Sequence, residues 1–95
     1  FVIIRRGMTS ALLGRREEVI GVYDDVVARF GAATEPALRE QVAGALFNKG
    51  ITLETLNRSE EAIGLYDNVV ERFGGAEEPE LKDLVDRARR LRKEL

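Results

Sequence analysis

A segment of 17 residues occurs twice in this chain, 43 positions apart, and this internal repeat limits the folds open to it. Residues 15–31 read RREEVIGVYDDVVARFG, and residues 58–74 read RSEEAIGLYDNVVERFG. A fixed period of about 20–50 residues is typical of stacked supersecondary units, because each unit alone cannot bury its apolar face. Arrays of this kind mostly present surfaces to other macromolecules. The repeat therefore indicates a class of function without naming a partner.

Within each copy the apolar residues are spaced as on an α-helix. Steps of three and four connect the same positions in both copies: Val19/Ile20, Tyr23, Val26/Val27 and Phe30 in the first, and Ala62/Ile63, Tyr66, Val69/Val70 and Phe73 in the second. Each stripe ends at a glycine, Gly31 or Gly74, which we expect to adopt a positive φ just past the helix end. Pro36 and Pro79 then restart the chain, with Thr34 predicted as the N-cap before Pro36.

These patterns predict an all-α chain of five helices, at about residues 1–13, 16–30, 35–56, 59–73 and 78–94. Turns at residues 14–16 and 57–59 would close two hairpins, with Ser59 as the N-cap of the fourth helix. We therefore expect a single domain over residues 1–95. Its parts are repeat one at 1–31, repeat two at 35–74, and a C-terminal half-repeat or capping helix at 78–95.

The residue types at five helical positions resemble the tetratricopeptide repeat (TPR). These positions are Leu46, Gly50, Leu53, Ala62 and Tyr66 in the second copy, and Ile3, Gly7, Ser10, Val19 and Tyr23 in the first. A glycine facing an alanine lets two helices cross closely, and the aromatic ring fills the space beside them. The resemblance implies a right-handed stack of antiparallel helical hairpins. This TPR-like α-solenoid would have about two and a half repeats, of the long-period type found in bacterial arrays.

The chain departs from the ordinary TPR pattern in two respects. Its period of 43 residues exceeds the usual period of about 34, and periods of about 40–47 also suit HEAT and armadillo repeats. The second departure is a cation where the common motif has leucine, at Arg6, Lys49 and Arg92. In one interpretation, the aliphatic part of each side chain packs against the protein while its charge reaches solvent or pairs with a neighbouring acid. In the other, the cation lies at an edge of the helix where many residue types are tolerated.

Composition argues against catalysis and against a bound metal or cofactor. The chain has no Cys and no His, so thiolate chemistry and the commonest metal ligand and general base are missing. Adjacent acids such as Glu17 and Glu18 diverge by about 100° on a helix, so they cannot share a substrate as paired catalytic carboxylates do. No glycine-rich phosphate loop occurs, because Gly74-Gly75-Ala76 lacks the lysine and hydroxyl of a P-loop. We therefore expect no enzymatic activity and no cofactor.

Charge and hydropathy argue against nucleic-acid and membrane partners. The net charge is −2, so no global field attracts nucleic acid. Five cations crowd residues 87–93, but no aromatic residue accompanies them, and cations in a last helical turn suit the helix dipole. The longest aliphatic run, residues 1–4, is far shorter than the ~20 residues that a bilayer helix needs. The lack of Cys fits the cytoplasm, which is our expectation for localisation.

The TPR resemblance implies a partner-binding site on a concave face lined by the first helix of each hairpin. Carried over position by position, the site residues are Ile4, Arg5, Met8, Leu12, Phe47, Asn48, Ile51, Glu54, Thr55, Arg87 and Arg90. Phe47, Ile51 and Met8 are large apolar residues off the stripe within the hairpin. They would either form an exposed apolar patch that marks a binding site or pack against the neighbouring first helix.

The expected function is a protein–protein interaction or scaffolding module that binds a peptide or a helix on this concave face. The alternative is structural self-association of a longer repeat protein without a separate ligand. A homo-oligomer would follow from the abrupt start of the first helix and from an apolar stripe left partly uncovered on the last one. The identity of a protein partner does not follow from either expectation.

Overall fold

The computed structural model describes residues 10–95, and this part of the chain contains four α-helices. They are α1, Ser10–Phe30; α2, Pro36–Thr55; α3, Ser59–Phe73; and α4, Pro79–Glu94. Because residues 10–95 contain no strand, the prediction of an all-α chain is confirmed. The predicted first helix at residues 1–13 lies mostly outside the described residues.

The first predicted turn, at residues 14–16, is wrong, because α1 continues through it without a break. The corresponding turn of the second copy contains Asn57, which adopts a positive φ of 63° and ends α2. The first copy has Gly14 there, followed by two arginines, and arginine is a good helix former. Gly14 weakens a helix by only about 1 kcal/mol, which does not terminate it. The described part of repeat one is therefore a single long helix, Ser10–Phe30.

The helices pack in chain order, each on the next, and α2 also contacts α4. Short connections at residues 31–35, 56–58 and 74–78 make successive helices antiparallel. The largest fully buried side chains lie on the three later helices: Val42, Leu53, Tyr66, Val69 and Leu81. The hydrophobic core therefore lies between α2, α3 and α4, and α1 covers it from the outer side of α2.

The closest helix approach occurs where α2 crosses α3. A Cβ atom added to Gly50 would lie 2.6 Å from Cε1 of Tyr66, which is much too close for two carbon atoms. The ring of Tyr66 is fully buried, and so is Ala62 one turn before it on α3. The glycine therefore makes room for the aromatic ring of the facing helix, whereas the sequence motif predicts that Gly50 faces Ala62 with the ring beside them.

The two longer connections, at residues 31–35 and 74–78, contain the same backbone hydrogen bond at equivalent positions of the repeat. The Gly31 amide donates to the Val27 carbonyl at 2.8 Å, and the Gly74 amide donates to the Val70 carbonyl at 2.9 Å. The residues before the two prolines have nearly the same conformation, with φ −65° and ψ 134° at Glu35. The values at Glu78 are −63° and 130°. The two connections are thus built alike, 43 residues apart.

Two details of these helix ends differ from the sequence-based expectation. No glycine among residues 10–95 has a positive φ, and Gly74 is right-handed, with φ −59° and ψ −24°. Glycine is required there for space, because an added Cβ would lie 2.5 Å from the Val70 carbonyl oxygen. The N-cap residues are Glu35 and Arg58, neither of which makes a side-chain cap hydrogen bond. Thr34 and Ser59 are therefore not N-caps.

The cation that replaces the leucine of the common motif forms the same ion pair in both copies. Lys49 on α2 binds Asp24 on α1 at 2.6 Å, and Arg92 on α4 binds Asp67 on α3 at 2.8 Å. Each pair joins the first helix of one hairpin to the second helix of the preceding unit. The cation therefore pairs with an acid of the preceding unit, which is one of the two uses expected from the sequence. The third cation, Arg6, lies outside the described residues.

A Schellman motif ends α2 at the tight turn before α3. The Asn57 amide donates to the Glu54 carbonyl at 3.0 Å, and the Arg58 amide donates to the Leu53 carbonyl at 2.9 Å. Both bonds depend on the left-handed conformation of Asn57, which residues with a Cβ rarely adopt. Asparagine is one of the few side chains that tolerates it.

We expect Asn57→Ala to lower the free energy of unfolding by about 1 kcal/mol, because alanine pays the steric cost of the left-handed conformation. Asn57→Gly should change it by less than about 0.5 kcal/mol, since glycine adopts a positive φ freely. Urea titration followed by circular dichroism measures both. Equal losses in the two variants would show that the side chain of Asn57, and not its backbone conformation, stabilises the turn.

Candidate functional site

A groove of about 270 Å³ opens between α2 and α4 on the side away from α3. Five residues line it: Phe47 from α2, and Arg87, Arg90, Leu91 and Glu94 from α4. The two helices run in the same direction, because α3 reverses the chain between them. Residues separated by one repeat, such as Phe47 and Arg90, therefore lie at the same level of the groove.

The floor of the groove is apolar. Phe47 is only 8% exposed, and its ring lies 5.7 Å from the ring of Tyr66, tilted by 47°. This spacing is typical of favourable aromatic pairs. Leu91 on α4 is half-buried and packs against the same core. Phe47 was predicted to form an exposed patch or to pack inside, and the structure shows that it packs inside.

The rim of the groove carries charged side chains and one exposed apolar residue. Arg87 pairs with Asp83 at 3.3 Å, one turn earlier on α4. Arg90 is exposed and forms no ion pair with any of the described residues. Ile51 lies one turn after Phe47 on α2 and is 37% exposed. The groove therefore offers an apolar floor, an apolar side chain at the level of Glu94, and a guanidinium that forms no ion pair within residues 10–95.

The predicted site residues do not all belong to this groove. Phe47, Arg87 and Arg90 line it together, and Ile51, one turn after Phe47 on α2, is not among the lining residues. Asn48 lines a separate hollow of about 320 Å³ between α1 and α2. Leu12 lies in the first turn of α1, and Ile4, Arg5 and Met8 lie outside the described residues. Among residues 10–95, the predicted residues Phe47, Arg87 and Arg90 thus line one hollow and Asn48 lines another, on either side of α2.

The last two predicted site residues on α2 are occupied by contacts within the protein. The Tyr66 hydroxyl donates a hydrogen bond to the Glu54 carboxylate. Burial raises the pKa of the Tyr66 phenol well above its usual range, and the hydrogen bond to Glu54 raises the pKa further. The Thr55 hydroxyl donates to the Thr52 carbonyl at 2.7 Å. Glu54 and Thr55 therefore stabilise the end of α2, and neither faces the groove.

The internal repeat identifies the groove residues more reliably than residue type does. Leu91 and Glu94 line the groove, and they are the residues one period after Asn48 and Ile51. Residue type alone does not distinguish Leu91 and Glu94 from the other residues of α4. Their position follows from the parallel arrangement of α2 and α4, which the repeat implies.

Residues 10–95 hold no group of three or more His, Cys, Asp or Glu side chains placed to bind a metal ion. Within the same range, no helix has the length and apolar character that crossing a membrane demands. Comparison with protein-family models, curated proteins and solved structures finds no match to this chain. The function is therefore argued from the groove and from the faces of the helices.

Proposed function

We propose that this chain is a protein-interaction or scaffolding module of the TPR-like type, which binds a peptide or a helix in the groove between α2 and α4. The observation that carries the proposal is the combination of the apolar floor at Phe47 and Leu91 with Arg90 at the rim, which makes no ion pair in the described part of the chain. The repeated hairpin contacts, with Gly50 against Tyr66 and the ion pairs 43 residues apart, support the TPR-like architecture. No catalytic role is proposed for any residue.

The size of the groove indicates what it binds. Its volume of about 270 Å³ lies below the range of about 300–1,000 Å³ typical of small-molecule sites. It therefore suits one anchoring side chain of a longer ligand. An apolar anchor would contact Phe47 and Leu91, and a carboxylate beside it would pair with Arg90. The proposed ligand is a segment of another protein with a large apolar residue next to an acidic one.

A displayed library of random peptides tests the proposal. Selection against the full chain should enrich peptides that carry an apolar residue next to Asp or Glu. Arg90→Glu should weaken the binding of these peptides about tenfold or more, which corresponds to about 1.4 kcal/mol, because a like charge then faces the acidic residue. Ile51→Glu should weaken the same peptides for the same reason.

The matched control is Arg89→Glu. Arg89 is the neighbour of Arg90 on α4 and receives the same change of charge, but it pairs with Asp86 at 3.7 Å and does not line the groove. Its replacement should change affinity by less than about threefold, because exposed charges at a distance are screened by salt. Peptides that lose affinity equally with both variants bind through net charge alone, and the groove is then not the site.

Structural self-association is the second candidate function. The observation that favours it is the exposure of apolar side chains on α1, where Val19, Val22 and Phe30 are all at least a third exposed. This face lies on the opposite side of α2 from the groove. The two functions therefore use different surfaces and can be tested separately.

A further inference from the structure

Opposite charges line the two ends of the groove between α2 and α4. Arg87 and Arg90 lie toward one end, and Glu94 lies at the other. Successive residues of an α-helix rise by about 1.5 Å, so Glu94 lies about 6 Å along α4 from Arg90 and about 10 Å from Arg87. A ligand that follows the groove therefore meets a cationic end and an anionic end.

The two charges nearest the floor of the groove do not pair with each other. Arg90 precedes Glu94 by one turn on α4, yet no ion pair within residues 10–95 includes either residue. A cation four residues before an acid is the less favourable order for a pair on one helix. Arg87 differs, because it pairs with Asp83. The rim thus presents one guanidinium and one carboxylate that make no ion pair in the described part of the chain.

The apolar floor lies between these two charges along the groove. Leu91 follows Arg90 on α4, and Phe47 lines the groove from α2 at the level of Arg90. Phe47 belongs to the hydrophobic core and Leu91 packs against it, so the fold sets the positions of both. The order of chemistry along the groove is therefore cation, apolar surface, anion.

The opposite face of α2 and α4 shows what can pack against the two helices together. On that face lies α3, which contacts both of them. A ligand helix in the groove would repeat this arrangement on the other side, and its residues three, four and seven positions apart would face the groove together. Seven residues of a helix span about 10 Å, which matches the distance from Arg87 to Glu94 along α4.

We propose that the groove binds an amphipathic helix of another protein that carries an acid and a base on the two sides of its apolar anchor. The anchor lies on Phe47 and Leu91. The acid lies beside Arg90, and the base, seven positions from the acid on the same face, lies beside Glu94. The inference rests on the proposed binding function and specifies its ligand. The base distinguishes this ligand from a segment that is recognised by its acid alone.

Four alanine-based synthetic peptides of about 20 residues serve as probes, because helices of this length form in water. The first carries a lysine, leucines three and four positions later, and a glutamate seven positions later, all in its central turns. The second replaces the lysine by alanine, and the third replaces the glutamate by alanine. The fourth has a proline between the leucines and the glutamate, which breaks the helix. Nuclear magnetic resonance titration of the full chain in about 0.1 M salt gives each dissociation constant.

Glu94→Gln should weaken the two lysine-containing helical peptides about threefold and leave the peptide without lysine unchanged. Arg90→Gln should weaken the two glutamate-containing helical peptides about threefold and leave the peptide without glutamate unchanged. Each combination of a protein change and a peptide change forms a double-mutant cycle, which isolates the contact between the two groups. The proline peptide should bind at least about tenfold more weakly than the first, because its groups no longer share one face.

The matched control is Glu71→Gln. Glu71 is an exposed acid on α3 that makes no ion pair within residues 10–95 and does not line the groove. Its replacement removes the same charge elsewhere, so each affinity should change by less than about 1.5-fold, because salt screens exposed charges that are far apart. An effect of Glu94→Gln no larger than that of Glu71→Gln would show that only net charge is recognised, and it would overturn the proposal.

Two further results would overturn the proposal and leave the binding function intact. One is equal affinity for the peptides with and without lysine while Arg90→Gln weakens both, which is expected of a ligand recognised by its acid alone. The other is equal affinity for the first peptide and the proline peptide, which is expected of an extended ligand. A chain that binds none of the four peptides would contradict the binding function itself, and the inference with it.

Discussion

Replacing Tyr66 by alanine is expected to remove about 3–5 kcal/mol from the free energy of unfolding. The side chain is fully buried, and it contacts Gly50 on α2 and the ring of Phe47. The surrounding helices cannot close over the cavity, since Gly50 already lies against the ring. Small domains are stabilised by only about 5–15 kcal/mol in total, so the loss leaves the fold marginal.

The matched control for Tyr66 is Tyr23, the same residue type at the same repeat position. Tyr23 is partly exposed, so Tyr23→Ala should lower the free energy of unfolding by less than about half as much. Urea titrations of both variants, followed by far-ultraviolet circular dichroism, give the comparison. Equal losses would mean that the ring of Tyr23 is packed as well as that of Tyr66.

The second large effect is expected for Phe47→Ala, which should destabilise the protein by about 3–5 kcal/mol. Phe47 is 8% exposed and belongs to the same core as Tyr66. The comparison is Ile51→Ala, one turn later on α2. Ile51 is 37% exposed, so this variant should lose less than about 1 kcal/mol. Thermal unfolding of the two variants separates them by several degrees or more.

The two residues also separate a structural role from a binding role. Ile51→Ala should weaken peptide binding while the protein stays folded, whereas Phe47→Ala should lose folding and binding together. A folded Phe47→Ala variant with unchanged melting would contradict the packing of Phe47 against Tyr66. It would also restore Phe47 as an exposed residue of a binding surface.

The helices could largely be predicted from the sequence, because apolar spacing and proline positions are local signals. The last three helices, α2 to α4, begin and end within two residues of their predicted bounds. The failure at residues 14–16 is also local. The repeat aligns Gly14 with Asn57, and the similar flanking sequences predicted the same turn in both copies. The first copy lacks the asparagine that adopts the left-handed conformation, and it has Arg16 in place of Ser59.

The candidate site was harder to predict, because burial depends on which helix faces which. The spacing of Phe47 on α2 does not reveal that α4 lies alongside it and that Tyr66 lies beneath it. Likewise, Glu54 faces solvent on a helical wheel, yet its carboxylate accepts the hydrogen bond of Tyr66. Only the repeat gave non-local information. It correctly implied that Arg87 and Arg90 lie beside α2.

The two inter-unit ion pairs have a consequence for how such a chain can change its length. Asp24 and Asp67 each form an ion pair with a cation of the following unit, Asp24 with Lys49 and Asp67 with Arg92. A tandem duplication of residues 36–78 would place a new Lys49 beside Asp67 and leave Arg92 beside the new copy of Asp67. Every junction would then reuse contacts that the protein already makes. Growth by whole units of 43 residues therefore needs no new interface.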